Sequence, residues 1–129
     1  MKETLKRTLI AAAAGIAAGC ATFATAHAAG ENVGDTQMCV PLMSIDQTPV
    51  IDDRTILIKM KGKGGYKRID LVNRCSGLKF QEGFSHTTST NDLCTTEPLR
   101  VLEPVGSTCR IEKIVTIDEA EAKQLMAKR

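Results

Sequence analysis

Four cysteines after residue 28 limit the folds that this sequence can adopt. They are Cys39, Cys75, Cys94 and Cys109, in a chain of 129 residues. The chain has three Phe, one Tyr and no Trp, so a domain of this size has little apolar volume for a core. An even number of cysteines in a small exported chain is typical of disulfides, each of which adds about 2–4 kcal/mol. We therefore predict a single domain stabilised by two disulfide bonds.

The first residues predict export, and therefore an oxidising compartment. A basic start at 1–8 is followed by an apolar run at 9–18 and by the A-x-A cleavage motif at 26–28. The run is too short for a membrane-spanning helix, which needs about 20 apolar residues. We expect a signal peptide over residues 1–28, cleavage after Ala28, a periplasmic or secreted product, and no transmembrane span in the mature chain.

A second cleavage site competes within the same segment. Ala17-Ala18-Gly19-Cys20 resembles a bacterial lipobox, in which the cysteine is acylated and becomes the mature N-terminus. Alanine occupies a position where leucine is usual, so cleavage after Ala28 is preferred. The alternative is an envelope lipoprotein with its lipid on Cys20 and with residues 21–36 as a flexible tether.

The net charge of +2 comes from the signal segment. Residues 1–28 hold three of the 17 basic residues and one of the 15 acidic residues, so the remaining chain has equal numbers of each. Net charge therefore gives no reason to expect a nucleic acid as partner. The expected partner is an envelope protein or an anionic component of the envelope.

Short runs of alternating apolar residues predict an antiparallel sheet after a flexible lead-in over residues 29–37. Ile56, Ile58 and Met60, for example, share one face of an extended segment. The predicted strands cover 39–45, 55–61, 66–73, 78–88, 98–103 and 109–117, with loops at 62–65 and 89–96. Residues 38–129 are predicted to form one mainly β domain, with a small antiparallel sheet folded as a barrel or sandwich.

The end of the chain predicts a short helix over residues 118–129. This segment consists mostly of good helix formers. Asp118 suits the N-cap, with Glu121 three residues later, and Glu119 and Lys123 form an i,i+4 pair of opposite charge. The helix is expected to dock on the sheet or to fray.

The predicted strands also bear on the disulfide pairing. If 98–103 and 109–117 form a hairpin, Cys109 lies near its turn and Cys94 lies beyond its far end. Bridged cysteines need Cα atoms within about 7 Å, so a Cys94–Cys109 bond is disfavoured. The preferred pairing is Cys75–Cys109 with Cys39–Cys94, and the alternative is Cys39–Cys109 with Cys75–Cys94.

The spacing of the cysteines argues against a metal or redox site. Structural zinc sites and thioredoxin-like motifs use close pairs such as C-x-x-C. No two of the four cysteines after residue 28 are that close. We expect no metal and no cofactor.

The order of short motifs between Cys39 and Ile117 is specific. The motifs are Cys39, Asp52-Asp53-Arg54-Thr55-Ile56-Leu57, Tyr66 with Arg68 and Leu71, Cys75-Ser76-Gly77-Leu78, Phe84-Ser85, Leu93-Cys94, and Cys109 before a final strand. In this order the chain resembles a bacterial family of small exported four-cysteine proteins that is known only as a domain of unknown function. It departs from the family pattern at Asp70 and Arg110, where asparagine and glycine are usual. The resemblance implies export and a shared fold, and it implies no activity.

His86 is the single histidine after residue 28 and is the candidate for catalysis. A hydrolase needs a nucleophile, a base and an orienting acid in contact, and Ser85, Ser89, Asp70 and Asp92 are available. No nucleophile-elbow pattern surrounds either serine. An exposed polar segment is therefore the expected role, and a hydrolase that uses His86 is the less favoured alternative.

A run of five cations is the other candidate site. Lys59, Lys61, Lys63, Lys67 and Arg68 follow one another without an intervening acidic residue. Two interpretations stay open. The run forms a patch that binds an anionic lipid, glycan or polyanion, or it forms a solvated hairpin whose lysines prevent edge-to-edge aggregation.

These features favour a non-enzymatic exported domain, periplasmic or envelope-associated, that acts by binding another protein or an envelope component. One alternative is a lipoprotein with a mainly structural role, anchored through Cys20. The other is an enzyme that uses His86.

Overall fold

The computed structural model describes residues 32–129. The predicted signal peptide, the cleavage site after Ala28 and the lipidation candidate Cys20 lie outside the described residues. The strands are β1 (Thr36–Gln37), β2 (Cys39–Pro41), β3 (Ile45–Gln47), β4 (Thr55–Met60), β5 (Tyr66–Leu71), β6 (Phe84–His86), β7 (Asp92–Cys94), β8 (Pro98–Val101) and β9 (Thr108–Ile117). The helices are a 3-10 helix (Leu42–Ser44), α1 (Leu78–Gln81) and α2 (Glu119–Ala127).

The strands form an antiparallel half-barrel and a separate two-stranded ribbon. The main sheet has the order β3-β4-β5-β9-β8-β6, and β1 also pairs with β9. The long strand β9 pairs with β8 through its first residues and with β5 through the rest. The ribbon consists of β2 and β7. The prediction of a mainly β domain with two disulfides and a short C-terminal helix is confirmed.

The larger core lies on the inner face of the half-barrel. Side chains alternate along β4 and β5, so Ile56, Ile58 and Ile69 share this face, and none of the three has any exposed surface. Val40 of β2 and Leu93 of β7 belong to the same cluster, so the ribbon covers the inner face. Burial of one such side chain stabilises the fold by about 1.5–3 kcal/mol, which makes this cluster the main apolar contribution.

The outer face carries a smaller core beneath α2. Leu57 and Val115 from the sheet pack with Ala122 from the helix. The Asp118 side chain accepts a hydrogen bond from the backbone N–H of Glu121 at 2.8 Å, which makes it the N-cap that the sequence predicts. The helix is therefore docked, and it is slightly shorter than the predicted range of 118–129.

The segment after the second cysteine differs from the prediction. The sequence predicts one irregular strand over 78–88, whereas the first four residues form α1 and only three form β6. Gly77 precedes the helix with a φ of +81°, and Glu82 ends it with a φ of +52°. The Asp53 carboxylate accepts a hydrogen bond from the backbone N–H of Lys79 at 2.9 Å. The first turn of α1 thus depends on a distant residue, which local periodicity does not encode.

The prediction of a flexible lead-in over residues 29–37 is wrong for residues 32–37, which are the part that the structure describes. Residues 36 and 37 form β1 on the edge of β9. The backbone N–H of Gly34 donates to the carbonyl of Thr116 at 2.7 Å, and the N–H of Thr116 donates to the carbonyl of Asp35 at 2.8 Å. The folded domain therefore begins before residue 38.

Two further boundaries differ from the prediction. The predicted strand over 39–45 is divided into β2, a 3-10 turn and the start of β3. The predicted loop over 89–96 contains β7, which pairs with β2. Each of these strands has only three residues, so pairing with a distant strand, and not local sequence, determines it.

One disulfide lies within the ribbon, and the other ties the segment before α1 to the main sheet. Cys39–Cys94 joins β2 to β7, with Cα atoms 4.0 Å apart. Cys75–Cys109 joins the segment before α1 to β9, with Cα atoms 5.7 Å apart. This is the pairing preferred from the sequence, and Cys109 does lie opposite Leu99 in the β8–β9 hairpin.

Candidate functional site

The five cations of the predicted patch do not share one surface. Lys67 lies on the inner face with 2% of its surface exposed, and its Nζ donates to the hydroxyl of Thr116 at 3.2 Å. Arg68 lies on the outer face and forms an ion pair with Glu121 of α2. The prediction of a single five-cation surface is therefore corrected. Alternation along β5 sends its two cations to opposite faces of the sheet.

The other three cations lie at the β4–β5 hairpin. The Nζ of Lys59 is 3.5 Å from the carboxylate of Asp46 on β3. Lys61 and Lys63 are exposed, and neither forms an ion pair with another residue of the 32–129 region. The exposed charge of this hairpin tip is consequently that of two lysines.

Arg68 is the centre of an ion-pair network beneath α2. Its guanidinium donates to both carboxylate oxygens of Asp70, at 2.8 and 3.0 Å, and also to Glu121. Lys113 approaches the same Asp70 carboxylate at 3.8 Å. The hydrogen bond with Asp70 is the largest cause that raises the pKa of Arg68; burial opposes it, and the charges of Asp70 and Glu121 add to it. The network joins β5, β9 and α2 and has a structural role.

The two consecutive aspartates form a turn and fix the next helix. Asp52 accepts a hydrogen bond from the backbone N–H of Arg54 at 2.7 Å, which is an Asx turn. Asp53 uses one carboxylate oxygen for the backbone of Lys79 and the other for Arg74, at 3.3 Å. Asp52 and Asp53 line a shallow cavity of about 290 Å³, but both carboxylates already accept hydrogen bonds from other groups of the protein.

His86 is one of the residues that line a small pocket. The pocket has a volume of about 210 Å³ and includes Phe84 and Leu93. The Phe84 and His86 ring centroids are 6.4 Å apart, with their planes inclined at 46°. Within residues 32–129, the imidazole of His86 makes no hydrogen bond or ion pair, so it is not hydrogen-bonded to Ser85 or Asp92 as a catalytic pair would be.

The most exposed large apolar side chain of the described region is Phe80 on α1, with 85% of its surface accessible. Leu102 and Val105 are also exposed apolar residues. They lie next to the two glycines that flank α1: a Cβ added to Gly77 would meet Val105 at 2.7 Å, and one added to Gly83 would meet Leu102 at 2.7 Å. We call Phe80, Leu102 and Val105 the Phe80 surface.

Sequence reasoning missed the Phe80 surface because it placed Phe80 in a strand. The one local signal was the glycine on each side of the segment, at 77 and 83. Glycines at those positions permit the left-handed turn before α1 and the close packing after it.

The described region has neither a group of metal ligands nor a membrane-spanning helix. Among residues 32–129, no three His, Cys, Asp or Glu side chains are grouped so that they could hold a metal ion. In the same region, no helix is long and apolar enough to cross a bilayer.

By its fold, the protein is a small half-barrel with two disulfide bonds. Such bonds are typical of proteins from oxidising compartments. The chain matches the family of unknown function DUF6491 over residues 1–129, and it belongs to that family. No curated protein and no solved structure matches it.

Proposed function

We propose that this protein is a non-enzymatic exported binding protein that recognises a protein of the bacterial envelope through the Phe80 surface. The exposure of Phe80 on a fixed helix is the observation that carries this proposal. Burial of a phenylalanine side chain is worth about 1.5–3 kcal/mol, and the fold does not use this stabilisation. Exposed apolar groups that lie together are typical of protein interaction sites.

The rigidity of α1 also supports recognition. The disulfide Cys75–Cys109 lies just before the helix, and the Asp53 carboxylate holds its first turn. A side chain that is already held in place loses less conformational freedom on binding, so more of its burial energy contributes to affinity. Aromatic residues are enriched in the centres of protein interfaces for this reason and for their size.

A photo-crosslinking amino acid at position 80 tests this proposal in intact cells. Position 43 is the matched control, because Met43 is 77% exposed but lies on a different element, the 3-10 helix. We expect a discrete crosslinked species from position 80 and none from position 43. Identical crosslinks from both positions, or none from position 80, would contradict the proposal.

Phe80→Ala provides the complementary test. The ring is almost fully exposed, so its removal should leave the free energy of unfolding within about 0.5 kcal/mol of the original value. The crosslinked species, formed in that variant through position 102 of the Phe80 surface, should decrease at least about tenfold. An unchanged yield would overturn the role of Phe80.

The cellular location is part of the proposal. Two disulfides support an oxidising compartment outside the cytoplasm. The periplasm, with cleavage after Ala28, is the preferred site, and a lipid anchor at Cys20 is the alternative. The mass of the mature N-terminus separates the two, because only an acylated Cys20 carries a diacylglyceryl group.

A further inference from the structure

The His86 pocket lies between the two edge strands of the half-barrel. β3 is the first strand of the main sheet and β6 is the last, so the barrel is open between them. The residues that line the pocket are Leu42, Ile45, Thr48, Phe84, His86 and Leu93. Ligand sites are typically concave pockets with mostly apolar walls and a few polar groups, and a gap between edge strands gives solvent access to such a pocket.

Four of the six side chains that line the pocket are apolar, and they belong to the core or pack against it. Leu93 is 1% exposed and lies in the main cluster, while Leu42, Ile45 and Phe84 are half-buried and pack against that cluster. A cavity of about 150 Å³ with wholly apolar walls is large enough to bind benzene. The volume of about 210 Å³ is therefore suited to one six-membered ring with a small substituent.

Two polar side chains distinguish this pocket from a purely apolar one. Within residues 32–129, neither the imidazole of His86 nor the hydroxyl of Thr48 makes a hydrogen bond to another residue. Both can donate and accept, so either can serve a hydroxyl group on a ligand. The rings of Phe84 and His86, 6.4 Å apart and inclined to each other, form a wall against which a third ring can pack.

From this arrangement we infer that the pocket between β3 and β6 binds a single phenolic ring, with its hydroxyl on His86 or Thr48. The phenolic ring is either a free small molecule or the side chain of a tyrosine. This site is separate from the Phe80 surface, and the inference does not depend on the proposed function.

The test is a titration of the mature chain, with its disulfides intact, followed by amide chemical shifts in NMR spectra. The probes are phenol, benzene and N-acetyltyrosinamide. A ligand of this size is expected to bind with a dissociation constant of about 1 mM. We expect phenol to shift the amides of β6, β7 and the 42–48 segment, and to bind more tightly than benzene.

Comparison of phenol with N-acetyltyrosinamide distinguishes a free phenol from a tyrosine side chain as the natural ligand. Binding of both phenol and N-acetyltyrosinamide at the pocket would support a tyrosine side chain as the ligand. Binding of phenol alone would support a free phenol. If neither probe shifts the pocket amides, or if shifts are spread over the whole sheet, the inference is wrong.

Variants test the two parts of the site. His86→Phe keeps a ring but removes the hydrogen-bonding nitrogens, so phenol affinity should fall about tenfold on loss of one hydrogen bond while benzene affinity stays the same. Thr48→Val removes the other side chain that can form a hydrogen bond with the hydroxyl of phenol. If neither change affects phenol binding, the polar part of the proposal is overturned.

Ile45→Phe fills the pocket and should abolish binding of all three probes. Val72→Phe is the matched control, because it adds the same ring at an exposed position beyond β5. Retained binding in Ile45→Phe, with the fold intact by chemical shift, would place the phenol elsewhere and overturn the inference.

Discussion

The carboxylate of Asp53 accepts a hydrogen bond from the backbone N–H of Lys79 at 2.9 Å, across 26 residues of sequence. The backbone carbonyl of the same aspartate accepts from the N–H of Cys75 at 2.6 Å. One residue thus positions both a disulfide cysteine and the first turn of α1. The orientation of Phe80, on which the proposed function depends, follows from this contact.

Asp53→Ala is expected to lower the free energy of unfolding by about 1–3 kcal/mol, because a half-buried backbone N–H loses its partner. Urea unfolding of the oxidised protein measures the change. Asp52→Ala is the matched control, since Asp52 is exposed and its carboxylate serves only the local N–H of Arg54. The control should lose less than about 1 kcal/mol. Equal losses in the two variants would contradict the role assigned to Asp53.

Arg68→Lys is expected to destabilise the protein by about 1 kcal/mol, because lysine cannot reproduce the paired hydrogen bonds to Asp70. The site is partly exposed, which limits the effect. Arg100→Lys is the control, because Arg100 is more exposed and has a single contact with Glu103 at 3.8 Å. Its effect should be close to zero, and a loss as large as that of Arg68→Lys would refute the network.

The contribution of Arg68 to the free energy of unfolding depends on pH in a definite direction. Folding raises the pKa of Arg68, chiefly through the hydrogen bond with Asp70. The stabilisation is therefore complete below the ordinary pKa of arginine and is lost only as the pH rises through the higher, folded value. The difference in unfolding free energy between the original protein and Arg68→Met should stay constant from about pH 6 to pH 10. A decline within that window would contradict this assignment.

The two disulfides are expected to differ in their rate of reduction. Cys39 is exposed at the ribbon, whereas Cys75 is 1% exposed in the main core. A reductant reaches an exposed disulfide more readily, so limited dithiothreitol should open Cys39–Cys94 first. Alkylation followed by peptide mass spectrometry measures the order. Earlier labelling of Cys75 and Cys109 would be inconsistent with this structure.

The long strands could be predicted from sequence because their period is local. In β4 and β5, alternate residues such as Ile56 and Ile69 identify the inner face without knowledge of the partners. The same alternation places Lys67 two residues from Ile69, on the buried face. The error over the cationic patch therefore came from grouping charges by proximity in sequence instead of by strand face.

The short elements could not be predicted because distant partners determine them. β1 has two residues and β7 has three, and each exists through pairing with another strand. The helix α1 has four residues, too few to be stable alone, and depends on Asp53. The candidate surface around Phe80 follows from α1, so it was missed with the helix.

Residues 32–35 form the first turn of the described chain. Gly34 has a φ of +93°, and the N–H of Asp35 donates to the carbonyl of Asn32, which is typical of a type II turn with Gly34 at its third position. Gly34→Pro cannot adopt this φ and also loses the N–H that donates to Thr116, so unfolding free energy should fall by about 2–3 kcal/mol. Val33→Pro occupies the position of the turn that favours proline, and should leave stability unchanged or raise it by up to about 1 kcal/mol. Urea unfolding compares the two. A similar small effect in both variants would mean that this segment contributes little to the fold, and that the domain begins at residue 38 after all.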